Sequence, residues 1–177
     1  TRMKVRSLLG SMKPIKIFTL IVGILWVIIG GFLLCSIFLN SFHEANKFFL
    51  FSASIQVILT AMALFVYLYQ LITIYQLDIT EPIISTQEKL STLKMTTLWV
   101  TRILFLQIPF WTTFWWSEAM LTDWDIIQWV VPLFFTVTAT IIAVWLFLNI
   151  KYENRNTKWF QLIFSGNEWT PLMKSMD

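Results

Sequence analysis

Residues 17–39 read IFTLIVGILWVIIGGFLLCSIFL, without one charged side chain. About 20 such residues in a helix cross the hydrocarbon core of a bilayer. The run is too long for the core of a signal peptide, and no small-residue cleavage site follows it, so it reads as a permanent span. Three more apolar stretches follow. Only 13% of the residues are charged, against about 25% in an ordinary soluble domain. The chain begins at Thr1 rather than Met, and reads as a fragment, a processed chain or a start at Met3.

The sequence predicts an all-α membrane protein of four transmembrane helices. Their spans are about 17–39, 48–75, 98–116 and 126–150. Helices this long satisfy their own backbone groups in lipid, and the alternating segments of a β-barrel are absent. The stretches between them differ sharply in charge. The arm 1–16 holds Arg2, Lys4, Arg6, Lys13 and Lys16. The middle loop holds Lys89 and Lys94, with Arg102 just beyond. The tail 151–177 holds Lys151, Arg155, Lys158 and Lys174. Twelve of the thirteen basic residues therefore fall on one side. The loops NSFHEANK and SEAMLTDWD hold only Lys47, with Glu44, Glu118, Asp123 and Asp125. The positive-inside rule places both termini in the cytoplasm. The short outer loops then make helices 1 and 2, and helices 3 and 4, two antiparallel hairpins around the transmembrane domain 17–150.

The stretch LWVTRILFLQIPFWTTFWW, residues 98–116, carries the polar residues that raise a functional question. Trp99 and Trp116 are 17 residues apart, about 25 Å along a helix, and plausible markers of the two interfacial belts. Arg102 then lies one turn inside the cytoplasmic belt. Its long side chain can snorkel to the headgroups and pair with Asp78 or Glu81. The alternative is a buried cation facing a polar cavity or an anionic ligand. Pro109 removes a backbone donor and is expected to kink the helix near Phe105. Gln107 is expected to hydrogen-bond a neighbouring helix.

In the second span Ser52, Gln56 and Thr60 recur every four residues, and Ala63, Tyr67 and Gln70 continue the stripe. Thr136, Thr140 and Ala143 share a face of the fourth span. Gly23 and Gly30 share a face of the first and are candidates for close helix packing, including a homodimer. Small and hydroxylated residues are what helix contacts in lipid use; the other reading is a pore or cavity lining. Gln56 stands out, because an unpaired amide in lipid is costly. No Asp, Glu, Lys or His lies in the middle of a span, as proton relays and ion-coupled transport usually require. No nucleotide-binding or zincin pattern occurs. With one Cys, Cys35, and one His, His43, a metal site is not expected. Neither a cofactor nor catalysis is expected.

The middle loop, LDITEPIISTQEKLSTLKMTT, predicts a cytoplasmic extension of helix 3 from about Thr86. Ser85 would be its N-cap and Glu88 would complete a capping box. Leu90 and Leu93 lie near one face, which either packs on the bundle or docks a partner. In the tail, KWFQLIF gives an amphipathic C-terminal segment. Trp159, Phe160, Ile163 and Phe164 form a short apolar face suited to the headgroup layer. Leu90, Leu93, Trp159 and Phe160 are the candidate partner surface. The basic arm is drawn to anionic membrane lipids rather than to nucleic acid.

The segments MKPIKIFTLIVGILWV, ITEPIISTQEKLSTLKMTTLWVTRILFLQIPFW and VWLFLNIKYENRNTKWFQLIFSGNEWTP resemble a group of uncharacterised small four-helix membrane proteins of Bacteroidota, often encoded beside ECF-type sigma factors. The resemblance covers almost the whole chain. Members often begin with a soluble segment that this chain would lack or carry truncated. The resemblance implies a bacterial inner membrane and a membrane-anchored, anti-sigma-like regulator with a cytoplasmic regulatory protein as partner. The leading expectation is thus a non-catalytic regulator or interaction protein. The alternative is a transporter or channel component with a polar path near Arg102, Gln56 and Gln107. If Gly23 and Gly30 form a dimer face, replacing both with Leu converts dimer to monomer in detergent.

Overall fold

The computed structural model describes residues 2–76 and 83–165, with side chains described from Lys13 onward except at 83, 84 and 86. The described chain is helical and contains no strand. Seven α-helices follow one another: α1 (Arg2–Asn40), α2 (Lys47–Tyr75), α3 (Ile83–Phe105), α4 (Ile108–Thr113), α5 (Ala119–Asp123), α6 (Ile126–Asn149) and α7 (Lys158–Ile163). A single 3-10 turn, Tyr152–Asn154, precedes α7.

Three stretches among the described residues are long and apolar enough to cross a membrane: Lys13–Asn40 of α1, Lys47–Tyr75 of α2 and Ile126–Asn149 of α6. Their surfaces agree with their composition. Phe18, Phe32, Leu39, Phe65 and Ile126 are all more than two-thirds exposed. Water would penalise each of these side chains by roughly 1.5–3 kcal/mol relative to burial, and a hydrocarbon solvent does not. Such helices mark a membrane protein.

The expected third span, 98–116, is not one continuous helix. Helix α3 ends at Phe105 and α4 restarts at Ile108. Pro109 has no N–H, so the carbonyl four residues earlier, on Phe105, loses its intrahelical donor. The backbone tightens just there. The Leu106 N–H is shared between Arg102 O (3.2 Å) and Ile103 O (3.1 Å), and Gln107 N–H reaches only Leu104 O (3.2 Å). Regular bonding resumes with Trp111 N–H to Gln107 O (3.3 Å). The disturbance expected near Phe105 is thus a break rather than a bend. At its other end α3 is already helical at Ile83. Ser85 is therefore inside the first turn and not an N-cap. Asn46 does cap α2: its Oδ1 accepts from Phe48 N–H (3.0 Å) and Phe49 N–H (3.4 Å), as N-terminal amides require.

The chain forms two compact units. The first is drawn from Thr1–Val22, Leu64–Thr101 and Ile150–Asp177. Its core holds Tyr67, Ile74, Leu93, Leu98, Val100, Ile150, Phe160 and Phe164. Leu93 and Phe160, expected on a partner surface, are each 1% exposed and belong to this core. The Phe160 and Phe164 rings lie 4.4 Å apart between centroids. The apolar face of α7 is turned into the protein, because two large rings gain more from packing together than from the headgroup layer.

The second unit is drawn from Gly23–Ala63 and Arg102–Asn149. Leu50, Ala63, Ile103, Met120, Ala139, Ala143 and Leu146 are buried in it, and α4 packs on α6. Phe48, Trp116, Trp129 and Trp124 form a chain of edge-to-face rings at 5.3–6.1 Å. The Asn46 amide donates to Trp116 O. Gly30 of α1 meets α2 inside this unit: a Cβ there would stand 3.3 Å from Val57 Cγ2, whereas one on Gly31 would meet nothing within 4 Å. The close approach that the sequence offered to a second copy is therefore used at Gly30 within the chain. Gly30→Leu is expected to cost about 1–3 kcal/mol by overpacking. Gly31→Leu should stay within roughly 0.5 kcal/mol of the parent protein. Thermal melting in detergent measures both, and equal losses would contradict the assignment.

Candidate functional site

Polar side chains collect at two places, one in each unit. In the first unit α1 supplies Lys16, α2 supplies Tyr67 and Gln70, and α3 supplies Thr96 and Thr97. Tyr67 and Gln70 are three residues apart, so they share a helix face. Lys16, Gln70 and Thr97 are fully buried. The Lys16 ammonium donates to Gln70 Oε1 at 2.7 Å and lies 4.3 Å from the centre of the Tyr67 ring. Gln70 Nε2 donates to Thr96 Oγ1 (3.1 Å) and Thr97 Oγ1 (3.3 Å). The Thr96 hydroxyl in turn donates to the carbonyls of Thr92 (2.9 Å) and Leu93 (3.0 Å). One amide thus accepts from a cation with its oxygen and anchors α3 with its nitrogen.

The arrangement makes chemical sense for a cation away from water. A buried charge needs acceptors and a polarisable neighbour, and an amide oxygen with an aromatic face supplies both. Lys13 repeats the pattern, 4.0 Å from the centre of the Tyr75 ring. Tyr152 takes Lys94 and Arg155 on its ring, the latter at 4.3 Å. Lys89 donates to Gln76 O at 3.0 Å. Lys13, Lys16 and Lys89 thus hold the arm and the middle helix to α2, and Lys94 holds the middle helix to the tail.

The second unit contains the three polar residues expected within the membrane. Gln107 lies in the break between α3 and α4, and its Nε2 donates to Thr60 Oγ1 at 3.1 Å. This is the interhelical bond expected of it. Gln56, one turn before Thr60, is 4% exposed, and its Nε2 has no hydrogen-bond partner among the described residues. Arg102 is half-buried in the last turn of α3, where the helix dipole favours a cation. Its expected partners Asp78 and Glu81 lie outside the described residues. Gln107 thus reaches α2 one turn from Gln56. Ser52 and Thr113 share a hydrogen bond of 2.9 Å. Lys47 and Glu118 form an exposed ion pair at 2.9 Å.

The α2 stripe read from the sequence is the buried face of that helix. Ser52, Gln56, Ala63, Tyr67 and Gln70 are all at most 5% exposed. Lys16 was missed as a site residue. It sits beside the apolar run and reads as the last charge of the basic arm. The available signal was the stripe itself, since Tyr67 and Gln70 deep in an apolar helix call for a polar partner. The exposed apolar residues Met95 and Leu162, at 55% and 78%, were also missed. Among the described residues no group of His, Cys, Asp and Glu could hold a metal ion.

No family model, curated protein or solved structure matches the chain.

Gln70→Leu removes the Lys16 acceptor and both threonine contacts together. It is expected to cost about 2–4 kcal/mol, as losing a buried charge-assisted bond does. Combining it with Lys16→Met should cost clearly less than the sum of the two single changes. Strict additivity in thermal melts would show that the two side chains do not act as a pair.

Proposed function

We propose that this chain is a non-catalytic membrane regulator or interaction protein of a bacterial inner membrane. It has four membrane-crossing segments, the third built from the end of α3 and from α4. Both termini lie in the cytoplasm, and helices 1 and 2, and 3 and 4, pair as hairpins. The observation that carries this reading is the composition of the first unit. The arm, the middle helix and the tail are the three segments that positive charge assigns to the cytoplasm, and all three contribute to it. Lys94 of the middle helix lies on Tyr152 of the tail, and Lys13 of the arm and Lys89 of the middle helix both reach the end of α2, at Tyr75 and Gln76. A unit built from three distant parts of the chain is suited to report a change in the spans to a cytoplasmic partner.

The partner surface differs from the one first expected, because Leu93 and Phe160 are core residues. Met95 and Leu162 replace them as exposed apolar contacts, with Trp159 and Leu90 half-buried beside them in sequence. The resemblance to proteins encoded beside ECF-type sigma factors names the class of partner to test first. The second reading, a transport component, is favoured by one observation: the unpartnered amide of Gln56.

Mild-detergent purification from the host, with mass spectrometry of what is retained, separates the two. The regulator reading predicts a sigma factor or other cytoplasmic regulatory protein retained by the parent protein and by Gln56→Leu. Leu162→Asp should lose it without a change in melting temperature. Retention by Leu162→Asp and Met95→Asp alike, with a flux lost in Gln56→Leu, would favour transport.

A further inference from the structure

Lys94 and Arg155 of the first unit share one aromatic ring. Both are half-buried, and both rest on Tyr152, with the Arg155 guanidinium 4.3 Å from the ring centre. Two cations on one ring stand close together and repel each other. The ring offsets part of that repulsion and supplies no negative charge. A neighbouring carboxylate is the ordinary remedy, and among the described residues none pairs with either cation. Glu88 and Glu153, the nearest in sequence, are both exposed.

The backbone holds the pair in place. Leu93, beside Lys94, is 1% exposed and anchors that turn of α3. In the tail Ile150 and Phe160 are buried on either side of the 3-10 turn. Arg155 N–H donates to Tyr152 O and Asn154 N–H to Lys151 O, each at 3.1 Å. Such a turn stacks a residue on the one three before it, which brings Arg155 back over Tyr152. The Tyr152 hydroxyl makes no hydrogen bond among the described residues. Two charged donors and a neutral one are thus gathered without an anion.

Depth and charge decide the ligand. Tyr152 and Arg155 come three and six residues after Asn149, where α6 ends. Lys94 precedes Trp99 by five residues of α3, about 7–8 Å along the helix. Trp99 is 51% exposed, and such an indole marks the membrane–water interface. All three side chains therefore belong to the headgroup layer. The anion of that layer is a phosphodiester, and its oxygens suit an arginine fork and an ammonium together. A zwitterionic headgroup carries its own ammonium and would set a third cation beside these two. A headgroup of net negative charge does not.

We propose that Lys94, Tyr152 and Arg155 bind the phosphate of an anionic phospholipid, of the phosphatidylglycerol class, from the leaflet that the basic segments face. The bound phosphate bridges the middle helix and the tail and so stabilises the first unit. The site rests on the membrane placement of α3 and α6 given above and not on the identity of a cytoplasmic partner.

The test uses the full chain in a nonionic detergent at physiological salt. It is titrated with phosphatidylglycerol, phosphatidylcholine or inorganic phosphate, and read by native mass spectrometry and by melting temperature. Phosphatidylglycerol should be retained and should raise the melting temperature, and the other two should do neither. Lys94→Gln and Arg155→Gln should each weaken phosphatidylglycerol about tenfold, as losing one charge-assisted bond does. Lys94→Arg should keep it. Lys158→Gln removes an exposed charge from the same unit and should weaken it about twofold at most. If Lys94→Gln fails to fold, Arg155→Gln decides alone. Equal losses in Lys158→Gln and Lys94→Gln, equal retention of phosphatidylcholine, inorganic phosphate bound as tightly as the lipid, or parent-like affinity in Arg155→Gln would each overturn the proposal. Sidedness does not enter this measurement, so a failure of the topology leaves its outcome intact.

Discussion

The constraint on which this structure depends is that polar groups at membrane depth must find their partners within the protein. Lipid offers neither donors nor acceptors, so a polar residue on a span is stabilised by a neighbouring helix that can bond it. Gln70 is the clearest case. It takes the Lys16 ammonium with its oxygen and the Thr96 and Thr97 hydroxyls with its nitrogen. Gln107 does the same on a smaller scale with Thr60, and Ser52 with Thr113. Apolar surface cannot set register in this way, because lipid tails are as apolar as leucine.

Pro109 shows how a local defect becomes a structural device. The missing N–H ends α3 at Phe105, and the break leaves Gln107 placed to bond Thr60 rather than buried in a regular turn. The restarted helix α4 packs on α6 and supplies Pro109, Phe110 and Thr113 to an apolar cleft lined also by α2 and α6. A continuous third helix would present a different set of side chains.

The all-helical architecture and three of the spans were legible because long uncharged runs have one physical outcome in a chain of this length. The α2 stripe was legible because its spacing follows the helix period. The break at Phe105 was foreseen only as a bend, since one proline costs the same bond in either case and the outcome depends on what the freed turn can bond. Lys16 was not legible. Its charge assigns it to the arm, and only the fold brings Tyr67 and Gln70 beside it. Leu93 and Phe160 failed as surface residues for a related reason: an apolar stripe on a short helix gives no sign of whether it faces protein or partner.

The central claim is that the arm, middle helix and tail share the cytoplasmic side while the two short loops, 40–47 and 117–125, face outward. Single cysteines in a Cys35→Ser background test it most directly, with a membrane-impermeant maleimide added to intact cells and to opened membranes. His43→Cys and Thr122→Cys should label in intact cells. Lys89→Cys and Lys158→Cys should label only once the membrane is opened. Labelling of Lys89→Cys in intact cells together with His43→Cys would contradict the account.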